Sequence, residues 1–342
     1  VGKLAHALNR PKFDPQTGRV IEGYGVLQPR VTPSLPIGHY GSLFQRIFSS
    51  SRGIDPYVFA VSDVYQDLFG EGSFAGKGIY DIDAFETALA GKIPENAMLS
   101  HDLFEGVFAR AALVTDIEVV EEYPERYSVA AARQHRWVRG DWQLLPWMVA
   151  WRSTAPRGSK GGIPALGFWK MTDNLRRSLT PIAVVLGLFL GWSFLPVGLA
   201  AAWTLFTVLI GIVPPLLPAL SGAVPRRLPL TVASRVRSSV GDFIHAFAFA
   251  GTNLMFLAHQ AGLMVDAIGR TFYRLAVSRK NLLEWTTAAQ AESSHTPSVF
   301  GNYRLMSVSL AAGVAAAGIA FYRADILWIV MLPFAGSWLA AP

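Results

Sequence analysis

Three short segments in the first half of the chain carry residue types that can do chemistry. The first, Gly70-Glu71-Gly72-Ser73-Phe74-Ala75-Gly76-Lys77-Gly78, places four glycines in nine positions, which lets a backbone come very close to a ligand or a neighbouring strand. The second, Leu99-Ser100-His101-Asp102-Leu103-Phe104-Glu105-Gly106, opens an apolar helical run in which Ser100 suits an N-cap and Glu105 a helix start. Asp102 then falls in the first turn, where the positive end of the helix dipole keeps a carboxylate ionised. Such a carboxylate can accept a proton from a hydroxyl. Standing alone, it would be no more than a helix-start charge. His101 could touch either of two reactants or sit in a core.

The third segment runs from Arg133 through Gln134, His135, Arg136, Trp137, Val138, Arg139, Gly140, Asp141 and Trp142 to Gln143. Its three arginines are spaced three apart, so a helix gathers them on one guanidinium-bearing face. Arginine forks grip phosphate oxygens bidentately and do not lose their charge. Trp137 beside them offers a flat apolar ring on which the C–H face of a sugar can lie. A solvated basic helix is the plainer alternative, but it does not ordinarily hold two tryptophans within six residues, as Trp137 and Trp142 do here.

Several other chemistries are excluded. The chain has no cysteine, so disulfide scaffolds, thiolate zinc sites and cysteine nucleophiles are ruled out. No Gly-rich phosphate loop of the GxxxxGK[ST] kind occurs. The glycine segment spells part of a dinucleotide pattern, but without the strand–helix context such a site needs, so a nicotinamide site is rejected. Asp81-Ile82-Asp83 has an Asp-x-Asp spelling, and Asp81 is read as structural.

These residues must be positioned by a chain of uneven character. Of its 342 residues 51% are hydrophobic and only 16% charged, the mean hydropathy is +0.32, and the net charge is +6. That is too apolar for disorder and short of charge for an ordinary soluble domain. From Ser178 to Pro225 no Lys, Arg, Asp, Glu or His occurs, and those 48 residues suffice for two helical crossings of about 20 residues each. Pro196 and Gly198 break the run, which predicts spans near 179–196 and 198–220. Arg176 and Arg177 precede the pair, and Arg226, Arg227, Arg235 and Arg237 follow it. Both basic ends therefore belong in the cytoplasm, with the turn outside.

Two further apolar stretches, 305–322 and 326 to the end, predict two more spans, the first Ala/Gly-rich and suited to packing on other helices. Arg323 and Asp325 lie between them, near enough to an interface for their heads to reach water. Between the pairs, Leu257, Ala261, Met264, Ile268, Phe272 and Leu275 recur at three- and four-residue spacing, with Asp266, Arg270, Arg274 and Arg279 opposite. This predicts an amphipathic helix lying on the membrane surface or packed on a cytosolic domain. Residues 1–178 read as a cytosolic α/β domain, 179–220 as two transmembrane helices, 221–304 as a cytosolic or interfacial amphipathic segment, and 305–342 as two further transmembrane helices. Val1 is not an initiator and Pro342 falls inside an apolar run, so an internal piece of a longer membrane protein is expected.

The order of the three segments, followed by a helix block, resembles membrane-embedded processive glycosyltransferases. Ser100-His101-Asp102 is similar to their motif for the catalytic base. Arg133-x-x-Arg136-Trp137 is similar to their Gln-x-x-Arg-Trp motif, with Arg133 in place of the usual Gln. Asp116 to Pro124 fits the short strand between them. The stretches 5–31, 72–85, 99–106, 135–147 and 282–292 resemble, more closely still, the glycosyltransferase region of bacterial cyclic β-1,2-glucan synthases. The likeness covers essentially the whole chain.

This resemblance implies the C-terminal half of a GT-A-type α/β glycosyltransferase domain, followed by a helical membrane domain with an amphipathic interfacial helix. It implies inverting transfer of glucose from UDP-glucose to a growing β-1,2-glucan, with Asp102 as base. Arg136, Arg133 and Arg139 would hold the donor diphosphate, and Trp137, Gly72, Ser73 and His101 the acceptor. A divalent cation, Mg or Mn, is implied for the full enzyme, with ligands upstream of this chain and none within it; the segment alone is then expected to be inactive. The implied partners are the bilayer and further carbohydrate-active domains of the same polypeptide, at the bacterial inner membrane with the catalytic domain cytoplasmic. A cellulose- or hyaluronan-type synthase, and a non-catalytic membrane subunit or glucan transporter, are the alternatives. Nucleic acid is not an expected partner, because the basic residues cluster at membrane flanks rather than in one stripe.

Overall fold

A computed structural model describes residues 1–34, 41–49, 63–93, 96–99, 102–150, 162–223, 232–284 and 299–342. Ser100 and His101 lie outside these. The chain divides into two compact units, Val1–Arg176 with Ala267–Ala291, and Arg177–Asp266 with Glu292–Pro342. The architecture is mostly helical, with two small sheets.

In the first unit, strands β1 (Lys12–Phe13) and β2 (Val20–Glu22) form an antiparallel pair. Strand β3 (Val26–Pro33) is central in a second sheet, between β4 (Ile79–Tyr80, antiparallel) and β5 (Ala111–Glu121, parallel). Its Val26, Leu27, Gln28 and Val31 are buried, as are Ala111, Ala112 and Leu113 of β5. Pro29 has no N–H to give the ladder, and the β3–β5 register slips between Pro29 and Arg30. The expected strand over 116–124 is the outer end of β5. Parallel strands need a long crossover, and this one carries α1 (Leu43–Phe48), α2 (Val64–Phe69), α3 (Ile82–Leu89) and α4 (Asp102–Ala109). Asp81 is structural, as read: its carboxylate accepts the Ala84 N–H at 3.0 Å and caps α3. Helices α5 (Tyr127–Gln143) and α6 (Leu145–Ala150) follow.

The long helices α7 (Ala165–Phe194) and α8 (Val197–Ala223) meet at the Leu195-Pro196 break, and both are long and apolar enough to cross a membrane. Within the second unit two tryptophans pin this hairpin. Trp192 Nε1 donates to Thr204 Oγ1 at 3.0 Å, and Trp203 Nε1 to the Gly187 carbonyl at 2.8 Å. A Cβ on Gly191 would stand 2.6 Å from Trp203 Cδ1, so only glycine admits that ring.

Helix α9 (Val232–Tyr273) differs from expectation. Where the periodicity from Leu257 onward predicts an amphipathic helix, on the membrane surface or packed on the cytosolic domain, one continuous helix holds a third stretch, Val236–Ser278, long and apolar enough to span, and its end from Ala267 belongs to the first unit. The reason lies upstream of the window read from sequence: Phe243 to Val265 contains no Lys, Arg, Asp or Glu. Helices α10 (Val299–Leu305) and α11 (Ser307–Arg323) form a pair bent by 72°, a fourth crossing if counted as one, while α12 (Trp328–Ala340) is shorter. Gly313 lets α11 and α12 close on each other, since a Cβ there would lie 2.8 Å from Leu339 Cγ. Trp192, Phe334, Met331 and Trp338 form the aromatic-rich core of this unit. Arg323 was expected to reach water, but it instead donates to the Trp192 and Leu195 carbonyls at 2.5 and 2.9 Å and pairs with Asp325. Those carbonyls are left without helical partners where α7 ends.

Candidate active site

The glycine loop is held from several sides. Helix α2 ends on Gly70 in the left-handed conformation (φ +69°). The Asp63 carboxylate, buried, caps α2 at Tyr65 N and also accepts the Ser73 N–H at 3.1 Å. Gln28, fully buried on β3, donates to the Ser73 carbonyl at 3.1 Å and accepts from Ala75 N at 2.6 Å. Lys170 of α7, 2% exposed, donates to the Gly72 carbonyl at 2.7 Å and lies over the Tyr65 ring. Arg19 pairs with Glu71. A loop so clamped presents its backbone in one fixed shape.

The same loop runs over α4. A Cβ on Gly106 would strike Phe74 Cβ at 2.6 Å, so glycine there lets the loop lie directly on the helix. Asp102 is the first residue of α4, as expected, and is half-buried. Its carboxylate lies against Gly76, where a Cβ would stand 2.7 Å from Asp102 Oδ2. Gly76 has φ +81°, a conformation glycine adopts without strain.

From Gly76 the contacts continue toward α5. Lys77 pairs with Glu121 at the end of β5, at 2.5 Å. Burial pushes the Arg133 guanidinium below its ordinary value, with Tyr123 and Glu121 opposing and Arg136 reinforcing; arginine stays charged nonetheless. Arg133 lies 4.9 Å from the Trp137 ring centroid and 5.8 Å from that of Tyr123. Trp137 keeps 39% of its surface exposed, and Arg136 is half-buried beside it in sequence.

Asp102 thus lies on the glycine loop, and Lys77 of that loop pairs with Glu121, whose charge acts on Arg133 beside Trp137. Gly72 and Ser73 are buried in the loop, and the Ser73 hydroxyl has no hydrogen-bond partner among the described residues. Arg139 stands apart from its two companions: it is buried, and its charge acts on Glu284. His101 lies outside the described residues. The sequence reading missed Gln28, Asp63, Glu121 and Lys170, all of which touch these segments, and gave no role to Gln143 at the end of the third. Gln28 carried a signal, being a lone polar residue in an otherwise apolar strand start. The other four depend on long-range contacts that no local pattern announces. Among the described residues no three His, Asp or Glu side chains gather where a metal could sit.

No family model matches the chain. Over all 342 residues it is 48% identical to cyclic beta-(1,2)-glucan synthase NdvB of Rhizobium meliloti (strain 1021), of which it spans 12%. That identity over the whole chain bears out the resemblance to cyclic β-1,2-glucan synthases.

Proposed function

We propose that this chain is the acceptor and leaving-group half of a GT-A-type, inverting glycosyltransferase that moves glucose from UDP-glucose onto the 2-hydroxyl of a growing β-1,2-glucan. The donor bond is α and the product bond β, so one in-line displacement suffices. Asp102 takes the proton of the acceptor hydroxyl as its oxygen bonds to the anomeric carbon. The anomeric carbon–phosphate oxygen bond breaks, and the electron pair leaves with UDP. Arg136 and Arg133 meet the growing negative charge on the diphosphate. Arg139, buried and turned away from these two around α5, adds its field. Trp137, one face of which lies near Arg133, supports the terminal glucose of the acceptor, aided by His101, while Gly72 and Ser73, expected to touch the acceptor but buried, shape the loop from beneath.

A divalent cation held by residues outside this chain is part of the proposal, as is a donor site completed by the rest of the polypeptide; the segment alone is not proposed to turn over. The site is placed on the cytoplasmic face of the bacterial inner membrane, where nucleotide sugars are available and the basic flanks of the first helix pair belong.

The observation that supports this reading best is the Asp102 carboxylate lying on the glycine loop that leads, through Lys77 and Glu121, to the Arg133–Trp137 stack. The test is Asp102→Asn in the full-length synthase, in native membranes. UDP release and β-1,2-linked product are expected to fall together by about a hundred- to ten-thousand-fold, the usual cost of losing a positioned base. An unchanged rate removes the assignment.

A further inference from the structure

Gln143 closes helix α5 and is 1% exposed. Its side-chain oxygen accepts the Leu99 N–H at 2.6 Å, three residues before Asp102. Its side-chain NH2 donates to the Leu282 carbonyl at 3.0 Å. One amide thus joins the segment that carries the aspartate to the segment that returns after α9. A side chain can make both bonds only if it holds both a donor and an acceptor, and a primary amide carries the two on one planar group. Other contacts hold the same neighbourhood. Trp142 meets Phe272 edge-on at 5.4 Å, and Arg274 donates to the Asn281 carbonyl at 2.6 Å and pairs with Glu284.

We infer that Gln143 is a positioning residue for the transfer: through its two bonds it sets the approach of Asp102 to the acceptor hydroxyl and ties that approach to the seating of residues 279–284. This rests on the reading of Asp102 as the base. A base displaced by a fraction of an ångström keeps substrates bound but loses rate, because the reacting atoms must be held close and aligned.

Two variants of the full-length synthase separate the bonds. Gln143→Leu removes both, while Gln143→Glu keeps an acceptor for Leu99 N–H and loses the donor to Leu282. For Gln143→Leu, kcat is expected to fall about ten- to a hundredfold with KM for UDP-glucose within about twofold, and Gln143→Glu to fall between it and wild type. The decisive measurement is the same pair in an Asp102→Asn background. A residue that acts through the base costs nothing further once the base is gone, whereas a merely structural one costs the same factor again. Additive losses, or wild-type kcat in Gln143→Leu, overturn the inference. Where Gln143→Leu fails to accumulate, Gln143→Glu carries the double-variant test. If Asp102→Asn is nearly inactive while Gln143→Leu is unaffected, only this inference fails. If Asp102→Asn retains full rate, the functional reading fails and takes the inference with it.

Discussion

At Gly76 one missing side chain controls the placement of the carboxylate. Two independent constraints exclude any other residue: φ is +81°, and an added Cβ would sit 2.7 Å from Asp102 Oδ2. The left-handed conformation alone costs an L-residue about 1–2 kcal/mol. The clash adds a displacement of the aspartate itself. Gly91 is the natural control, since its φ of +70° carries the same backbone cost but an added Cβ meets nothing within 4 Å. Gly76→Ala is therefore expected to reduce glucan synthesis at least tenfold, in line with what small misplacements of reacting groups cost. Gly91→Ala is expected to lower thermal stability slightly and leave kcat unchanged. Equal activity in the two variants would mean that contact with the glycine loop does not position Asp102.

Helix α5 shows how far an element could be read in advance. The three-residue spacing of Arg133, Arg136 and Arg139 correctly announced a helix bearing arginines, and Trp137 was seen to belong with them. A three-residue step turns about 300°, however, so each arginine drifts about 60° from the last. By Arg139 the drift separates it from Arg133, and the two find different surroundings: Tyr123 and Trp137 for one, Glu284 for the other. The amphipathic pattern over 257–279 offered packing on the cytosolic domain as one of two readings, and residues 267–291 do share a compact unit with 1–176. The bond from Gln143 to Leu282 that helps seat this returning segment links residues more than a hundred positions apart.

Its seating depends on pH with a definite sign. The hydrogen bond from Arg274, then the charges of Arg274, Arg139 and Arg270, hold the Glu284 carboxyl below its ordinary value of 4.5. A carboxyl lowered on folding contributes stability above the unfolded value and loses it as pH falls through the folded one. Exchange of the backbone amides of 279–284 is therefore expected to speed up as pH is lowered below about 4.5, after correction for the intrinsic pH dependence of exchange. Glu284→Gln is expected to abolish that step. Hydrogen exchange of the purified synthase checks both, and an identical profile in the variant would show that Glu284 does not hold the segment.

At the scale of the whole molecule, the charge-free run from Ser178 to Pro225 and its Pro-Gly break were enough to locate α7 and α8, because a bilayer imposes a length that sequence records directly. The role of Arg323 was not legible in the same way. Read alone, an arginine between two apolar helices belongs in water. In the fold it meets the last carbonyls of α7, which no helical N–H can satisfy, and Asp325 balances its charge. One side chain thereby closes the α7 end of the hairpin with the α11 end of a helix pair more than a hundred residues later. Lysine carries the charge but lacks the fork that reaches two carbonyls and a carboxylate together. Arg323→Lys is expected to lose part of this closure, and Arg323→Met to lose all of it and leave the carbonyls and Asp325 unpaired. The loss for Met is of the order of 1.5–3 kcal/mol for each charged hydrogen bond. In detergent-purified synthase the order of thermal midpoints should then be wild type, Lys, Met. A Met variant as stable as wild type would mean that the two carbonyls are satisfied by water at the membrane surface and that α7 needs no partner at this end.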